Sequence, residues 1–122
     1  MRRRLLTLVA ATLMATGLGY IPAVGAYATS GKCDSSGTVC EWVVNSGNFI
    51  KTVKVYNAVN GGTNTMRWLY GPKTSPQVQA SHTGPQHDGW TFTVNRYLTP
   101  GYCVWGGIVN VARTYCWVVP SS

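Results

Sequence analysis

The sequence predicts an all-β fold: a small antiparallel β-sandwich, or a partly open barrel, of about six to seven strands with two disulfides after an N-terminal signal peptide. Three observations carry this. Past residue 28, leucine occurs only at 69 and 98 and glutamate only at 41, while valine and threonine are abundant; β-branched side chains lose rotamer freedom in helices and suit a pleated surface. Apolar residues alternate with polar ones in several short runs separated by Gly, Asn and Pro, which is the period of a half-buried strand. Four cysteines, an even count, all lie in the same part of the chain.

The start of the chain has the three parts of a secretory signal in order. Arg2, Arg3 and Arg4 precede the apolar run Leu5 to Leu18, and Ala26-Tyr27-Ala28 offers a small-x-small cleavage site before Thr29. Thr12, Thr16, Gly17 and Gly19 interrupt the run, which falls short of the roughly 20 apolar residues of a membrane span. The expected organisation is a cleaved signal over 1–28, a short flexible lead-in over 29–32, and one β domain over 33–122. Secretion into the extracellular medium follows, and with it conditions that let disulfides persist.

Four cysteines allow three pairings. Cys33 and Cys40 flank the turn-rich Asp34-Ser35-Ser36-Gly37. Cys103 and Cys116 flank two β-like runs, Tyr102 to Trp105 and Val109 to Val119, with Gly106-Gly107 between them. Local folding at these turns favours Cys33–Cys40 and Cys103–Cys116; the alternative, tying the two ends of the domain together, closes much longer loops.

The strands follow in order. The first spans about Val39 to Asn45 and ends at Asn45-Ser46-Gly47-Asn48. From Ile50 to Val59, Val53, Val55 and Val59 share one face and Thr52, Lys54 and Tyr56 the other, so the valines should point inward. After a turn at Asn60-Gly61-Gly62, the run Thr65 to Tyr70 places Met66, Trp68 and Tyr70 on a core face and Arg67 and Leu69 on the outer one. Gly71 to Gly89 reads as a long polar loop with an edge strand near Pro76 to Ser81. Trp90, Phe92 and Val94 alternate with Thr91, Thr93 and Asn95, and Leu98-Thr99-Pro100-Gly101-Tyr102 turns the chain in a manner similar to the tyrosine corner of sandwich domains.

Charge excludes as much as it suggests. Loss of Arg2, Arg3 and Arg4 with the signal takes the formal charge from +7 to +4. The remaining Lys32, Lys51, Lys54, Lys73, Arg67, Arg96 and Arg113 are scattered along the chain, which argues against a nucleic-acid footprint. Only Asp34, Glu41 and Asp88 are acidic, leaving Glu41 with Asp88 as the one distant pair a glycosidase could use. His82, His87 and Asp88 form the single His/Asp cluster, and a hydrolase or ribonuclease built on His82 and His87 is the leading enzymatic reading. The His-x4-His spacing in a Pro/Gly-rich stretch is not a zinc motif, and no nucleophile elbow or phosphate loop is present. A non-enzyme without catalytic residues, metal or cofactor is therefore expected.

Aromatic residues point to binding. Trp42, Trp68, Trp90, Trp105 and Trp117 stand beside many tyrosines in about 90 residues. Most fill the core, and any surplus on the surface belongs to the residue types enriched at interfaces. Tyr56, Arg67, Arg96, Tyr97, Arg113, His82 and His87 are the candidate surface. The combination of export, four cysteines and an all-β pattern resembles secreted proteinaceous amylase inhibitors, whose exposed Trp-Arg-Tyr element has its nearest counterpart in Arg67-Trp68-Leu69-Tyr70, with the order changed and a residue inserted. The leading expectation is a secreted binding module or adaptor that meets another secreted protein; the second is an inhibitor of an extracellular protease or glycosidase, and the third a glycan binder. No membrane association is expected once the signal is removed.

Overall fold

The computed structural model describes residues 26–58, 62–85 and 89–122. The signal-like segment 1–25, Val59-Asn60-Gly61 of the second expected turn, and Gln86-His87-Asp88 lie outside the described residues. The described chain is all-β, with strands β1 (Ala28–Cys33), β2 (Val39–Ser46), β3 (Phe49–Asn57), β4 (Thr63–Gly71), β5 (Gln77–Pro85), β6 (Trp90–Tyr97), β7 (Cys103–Ile108), β8 (Ala112–Arg113) and β9 (Trp117–Val118). They form two antiparallel sheets. One has the order β1-β2-β3-β6, and the other β5-β4-β7-β8 with β9 also on β7.

Alternation explains which side chains meet between the sheets. Val39 and Val43 of β2 face Met66 and Trp68 of β4 and Val104 and Ile108 of β7, joined by Phe92, Leu98, Trp117 and Val119 in one buried cluster. On β3 the inward residues Ile50, Val53 and Val55 do not share parity. A register shift between Ile50 and Thr52 accommodates an extra residue and returns Val53 to the inner face. Val53 and Val55 are thus inward as their spacing predicts.

Both disulfides have the expected partners, Cys33 with Cys40 and Cys103 with Cys116. Cys33 and Cys40 are directly opposed across β1 and β2, with Cα atoms 4.0 Å apart. Asp34 closes the intervening turn: its two carboxylate oxygens accept from the Val39 amide at 2.9 Å and the Ser36 hydroxyl at 2.7 Å. These bonds hold its pKa below the usual carboxylate value, the Val39 amide contributing most.

Five local expectations are corrected. Residues 29–32 are not a loose lead-in but the body of β1, where Thr29, Ser30, Gly31 and Lys32 pair with Val44, Val43, Trp42 and Glu41; a polar sequence suits an edge strand, which has only one neighbour to satisfy. The edge strand expected near Pro76 to Ser81 is present as β5 but reaches further, through Pro85 on the free side of β4, which shortens the expected loop. β7 does not stop at Gly106-Gly107 but runs through both glycines. Gly106 is required by close approach: a Cβ there would lie 2.9 Å from Val55 Cγ2 and 3.0 Å from Glu41 Cβ. Residues 109–119, expected as one strand, make a turn and the two short strands β8 and β9. The hydroxyl that clasps the turn after Leu98 belongs to Tyr70, which accepts the Thr99 amide at 2.8 Å, rather than to Tyr102.

Side chains close the two open sides of the sandwich. On one, Tyr115 donates its amide to the Cys33 carbonyl at 3.0 Å, and the Trp117 indole donates to the Ser30 hydroxyl at 2.9 Å. On the other, the His82 imidazole of β5 stacks on the Trp90 indole of β6 with centroids 3.5 Å apart and planes 5° from parallel. Arg96 of β6 donates to Gln79 of β5 at 3.1 Å on the same side.

Candidate functional site

Two outer faces remain once the core is filled. That of the four-stranded sheet carries Thr29 from β1, Trp42 and Val44 from β2, Thr52 and Lys54 from β3, and Thr91 from β6, around a shallow depression of about 390 Å3. The register explains the grouping: Gly31, Trp42, Lys54 and Thr91 form one cross-strand row, and Thr29, Val44, Thr52 and Thr93 the next. Trp42 remains 42% exposed. Its six-membered ring lies over Gly31, where a Cβ would sit 3.0 Å from Trp42 Cε3. The missing side chain therefore lets the indole approach the edge strand closely. Tyr56 continues this face, half-buried, with the Lys54 ammonium 5.9 Å from its ring centroid.

The other sheet presents a cleft of about 300 Å3 lined by Arg67, Leu69, Gly107, Ile108, Asn110, Val111, Ala112 and Arg113. Arg67 and Arg113 are both register partners of Gly107, one on each side. The Arg113 guanidinium lies 5.4 Å over the Trp105 ring. Trp105 points away from the main core yet is only 4% exposed, buried in a second small cluster with Leu69 and the Cys103–Cys116 bridge. That cluster also explains why Leu69, on the outer side of β4, is buried.

The candidate residues named from sequence do not form one surface. Tyr56 belongs to the Trp42 face, and Arg67 with Arg113 to the cleft on the opposite side. His82 and Arg96 tie β5 to β6, the Arg96 guanidinium also lying 5.6 Å over Trp68. Tyr97 is exposed and meets Phe49 edge-on at 5.1 Å. His87 and Asp88 are outside the described residues, so the His/Asp cluster is represented by His82, whose ring is stacked on Trp90. Glu41 is 1% exposed, between the sheets rather than on a surface. Among the described residues no group of three or more His, Cys, Asp or Glu side chains is arranged to hold a metal ion. Sequence reasoning missed Trp42 as a surface residue; the available signal was its place, one residue from inward Val43 in the first alternating strand.

Burial pushes the Glu41 carboxyl well above the ordinary carboxylate range, against smaller opposing effects from Thr114 and Lys32. Its Oε2 is 3.0 Å from the Thr114 hydroxyl, and Oε1 has no hydrogen-bond partner. Thr114 Oγ1 accepts the Gly106 amide at 3.0 Å and lies 3.1 Å from the Tyr115 carbonyl. A hydroxyl has one hydrogen. If Glu41 is neutral it donates to Thr114, which donates in turn to Tyr115, and all three contacts are satisfied.

Comparison with known protein families, curated proteins and solved structures finds no match to this chain.

Proposed function

We propose that the protein is an exported, non-enzymatic binding module whose contact surface is the Trp42 face. The observation that carries this is the exposed indole of Trp42 amid a sheet face whose neighbouring outer residues are Thr29, Val44, Thr52, Lys54 and Thr91. Interface centres are depleted in charge and enriched in aromatic residues, and Lys54 is the single charged residue lining this depression. A folded partner with a flat, weakly charged surface fits it. A plug for an active-site cleft would need a projecting loop, whereas the described residues lining this face all lie in strands.

The test is affinity capture from the producing culture medium by tagged protein, with Trp42→Ala in parallel. A stoichiometric protein retained by the parent and lost from the variant is the expected result. Equal retention by both would remove this face from the interaction. A second reading, glycan binding, is favoured by the exposure of the indole beside the hydroxyls of Thr29, Thr52 and Thr91, since an exposed aromatic ring can stack on a sugar. Saturable binding on a glycan array, lost in Trp42→Ala, would replace a protein partner with a saccharide.

A further inference from the structure

We infer that the cleft between Arg67 and Arg113 is an oxyanion-binding site, separate from the Trp42 face and independent of what that face binds. Arg67, Gly107 and Arg113 occupy one row across β4, β7 and β8. Adjacent strands are about 4.8 Å apart, so two long side chains flank a position that has none of its own. Gly107 opens the floor of the cleft, and Arg67 and Arg113 line it on either side.

Charge and order support the assignment. No acidic residue lines the cleft. Of the two described carboxylates, Asp34 is committed to its own turn and Glu41 is buried between the sheets. Arg113 is held in place by stacking on Trp105, which reduces the ordering cost of a bound anion. Guanidinium forks match the oxygens of carboxylate, sulfate or phosphate and form charge-assisted hydrogen bonds with them. Asn110, at the rim, adds an amide donor.

Gly107 makes the inference testable without threatening the fold. A Cβ there would meet the Ala112 carbonyl oxygen at 3.6 Å and Leu69 Cδ1 at 3.7 Å, ordinary contact distances. Gly107→Ala should therefore fold and raise the cleft floor. The experiment is NMR titration of the full folded domain with sulfate, phosphate and acetate, each at constant ionic strength balanced with chloride. The expected result is saturable shifts of the Gly107 and Ala112 amides and of the Arg67 and Arg113 Nε–H signals. Affinity should fall about tenfold or more in Arg67→Gln and in Arg113→Gln, and measurably in Gly107→Ala, with Lys51→Ala on β3 of the other sheet unchanged. Preference among the three anions distinguishes a tetrahedral ester from a carboxylate as the natural group. Linear, unsaturated drift, or equal binding by Arg67→Gln and the parent, would overturn the site.

Discussion

Glu41 and Thr114 face each other at 3.0 Å inside the sandwich, joining β2 of one sheet to the segment between β8 and β9 of the other. Glu41 occupies the inward position between Val39 and Val43. Its pairing with a hydroxyl that is already bonded to the Gly106 amide requires the carboxyl, rather than the carboxylate, for every contact to have a hydrogen.

A pH dependence follows from this pair. The folded state holds the Glu41 proton more tightly than the unfolded chain, whose glutamate titrates near the ordinary 4.5. Below that value the group contributes no pH dependence. As pH rises from there toward the elevated folded value, the unfolded chain ionises first and stability falls by up to about 1.4 kcal/mol per pH unit. Glu41→Gln keeps the donor to Thr114 and removes the titration. Its thermal midpoint is expected to exceed that of the parent at pH 8, by about 1 to 3 kcal/mol in stability, with the gap closing toward pH 4. Scanning calorimetry across this range is the measurement; parallel pH profiles would refute a neutral Glu41.

Gly31 and Trp42 form a second coupled pair. A methyl at residue 31 would press into both the Glu41 carbonyl and the Trp42 ring. Gly31→Ala should lift the indole and shift β1, at a cost of about 1 to 3 kcal/mol. Denaturant unfolding gives the cost, and iodide quenching reports greater exposure of one tryptophan.

Trp42→Ala separates binding from folding. Loss of a central interface aromatic typically costs 2 kcal/mol or more of binding, whereas this half-exposed side chain should cost the fold no more than about 1 kcal/mol. Titration calorimetry against the captured partner, with a denaturation curve of the same variant, distinguishes the two.

The stack of His82 on Trp90 joins the sheets where no backbone ladder does. His82→Ala removes it and should destabilise by about 0.5 to 1.5 kcal/mol, with earlier amide exchange along β5. Unaltered exchange on β5 would mean that the ladder to β4 alone holds this strand.

The alternating runs were legible because they are buried on one side: Val53 with Val55, and Met66 with Trp68, could only face inward. Both cysteine pairs were legible because each joins partners near in the chain, seven and thirteen residues apart. The hidden parts depend on contacts between distant residues. β1 is polar throughout and becomes a strand through the ladder and sulfur bridge to β2. Gly106 and Gly107 resemble a turn, yet one makes room for Glu41 and Val55 and the other separates two arginines. Arg67 and Arg113, distant in sequence, share a row only through the pairing of β4, β7 and β8. Glu41 read as an ordinary solvated carboxylate because nothing local reveals Thr114 as its partner.

The bridge between Cys33 and Cys40 also governs whether two copies of the chain can become entangled. β1 is an edge strand joined to β2 by the short segment 34–38, the kind of element that neighbouring molecules exchange when hinges open. Because the bridge ties β1 to its own β2, oxidation after folding bars exchange of this strand between copies. If exchange came before oxidation, the same register would set Cys33 of one copy against Cys40 of another, and the swap would become a covalent dimer. Oxidation before or after strand exchange would thus leave different covalent products, and non-reducing gels of protein refolded before and after oxidation would separate the two outcomes.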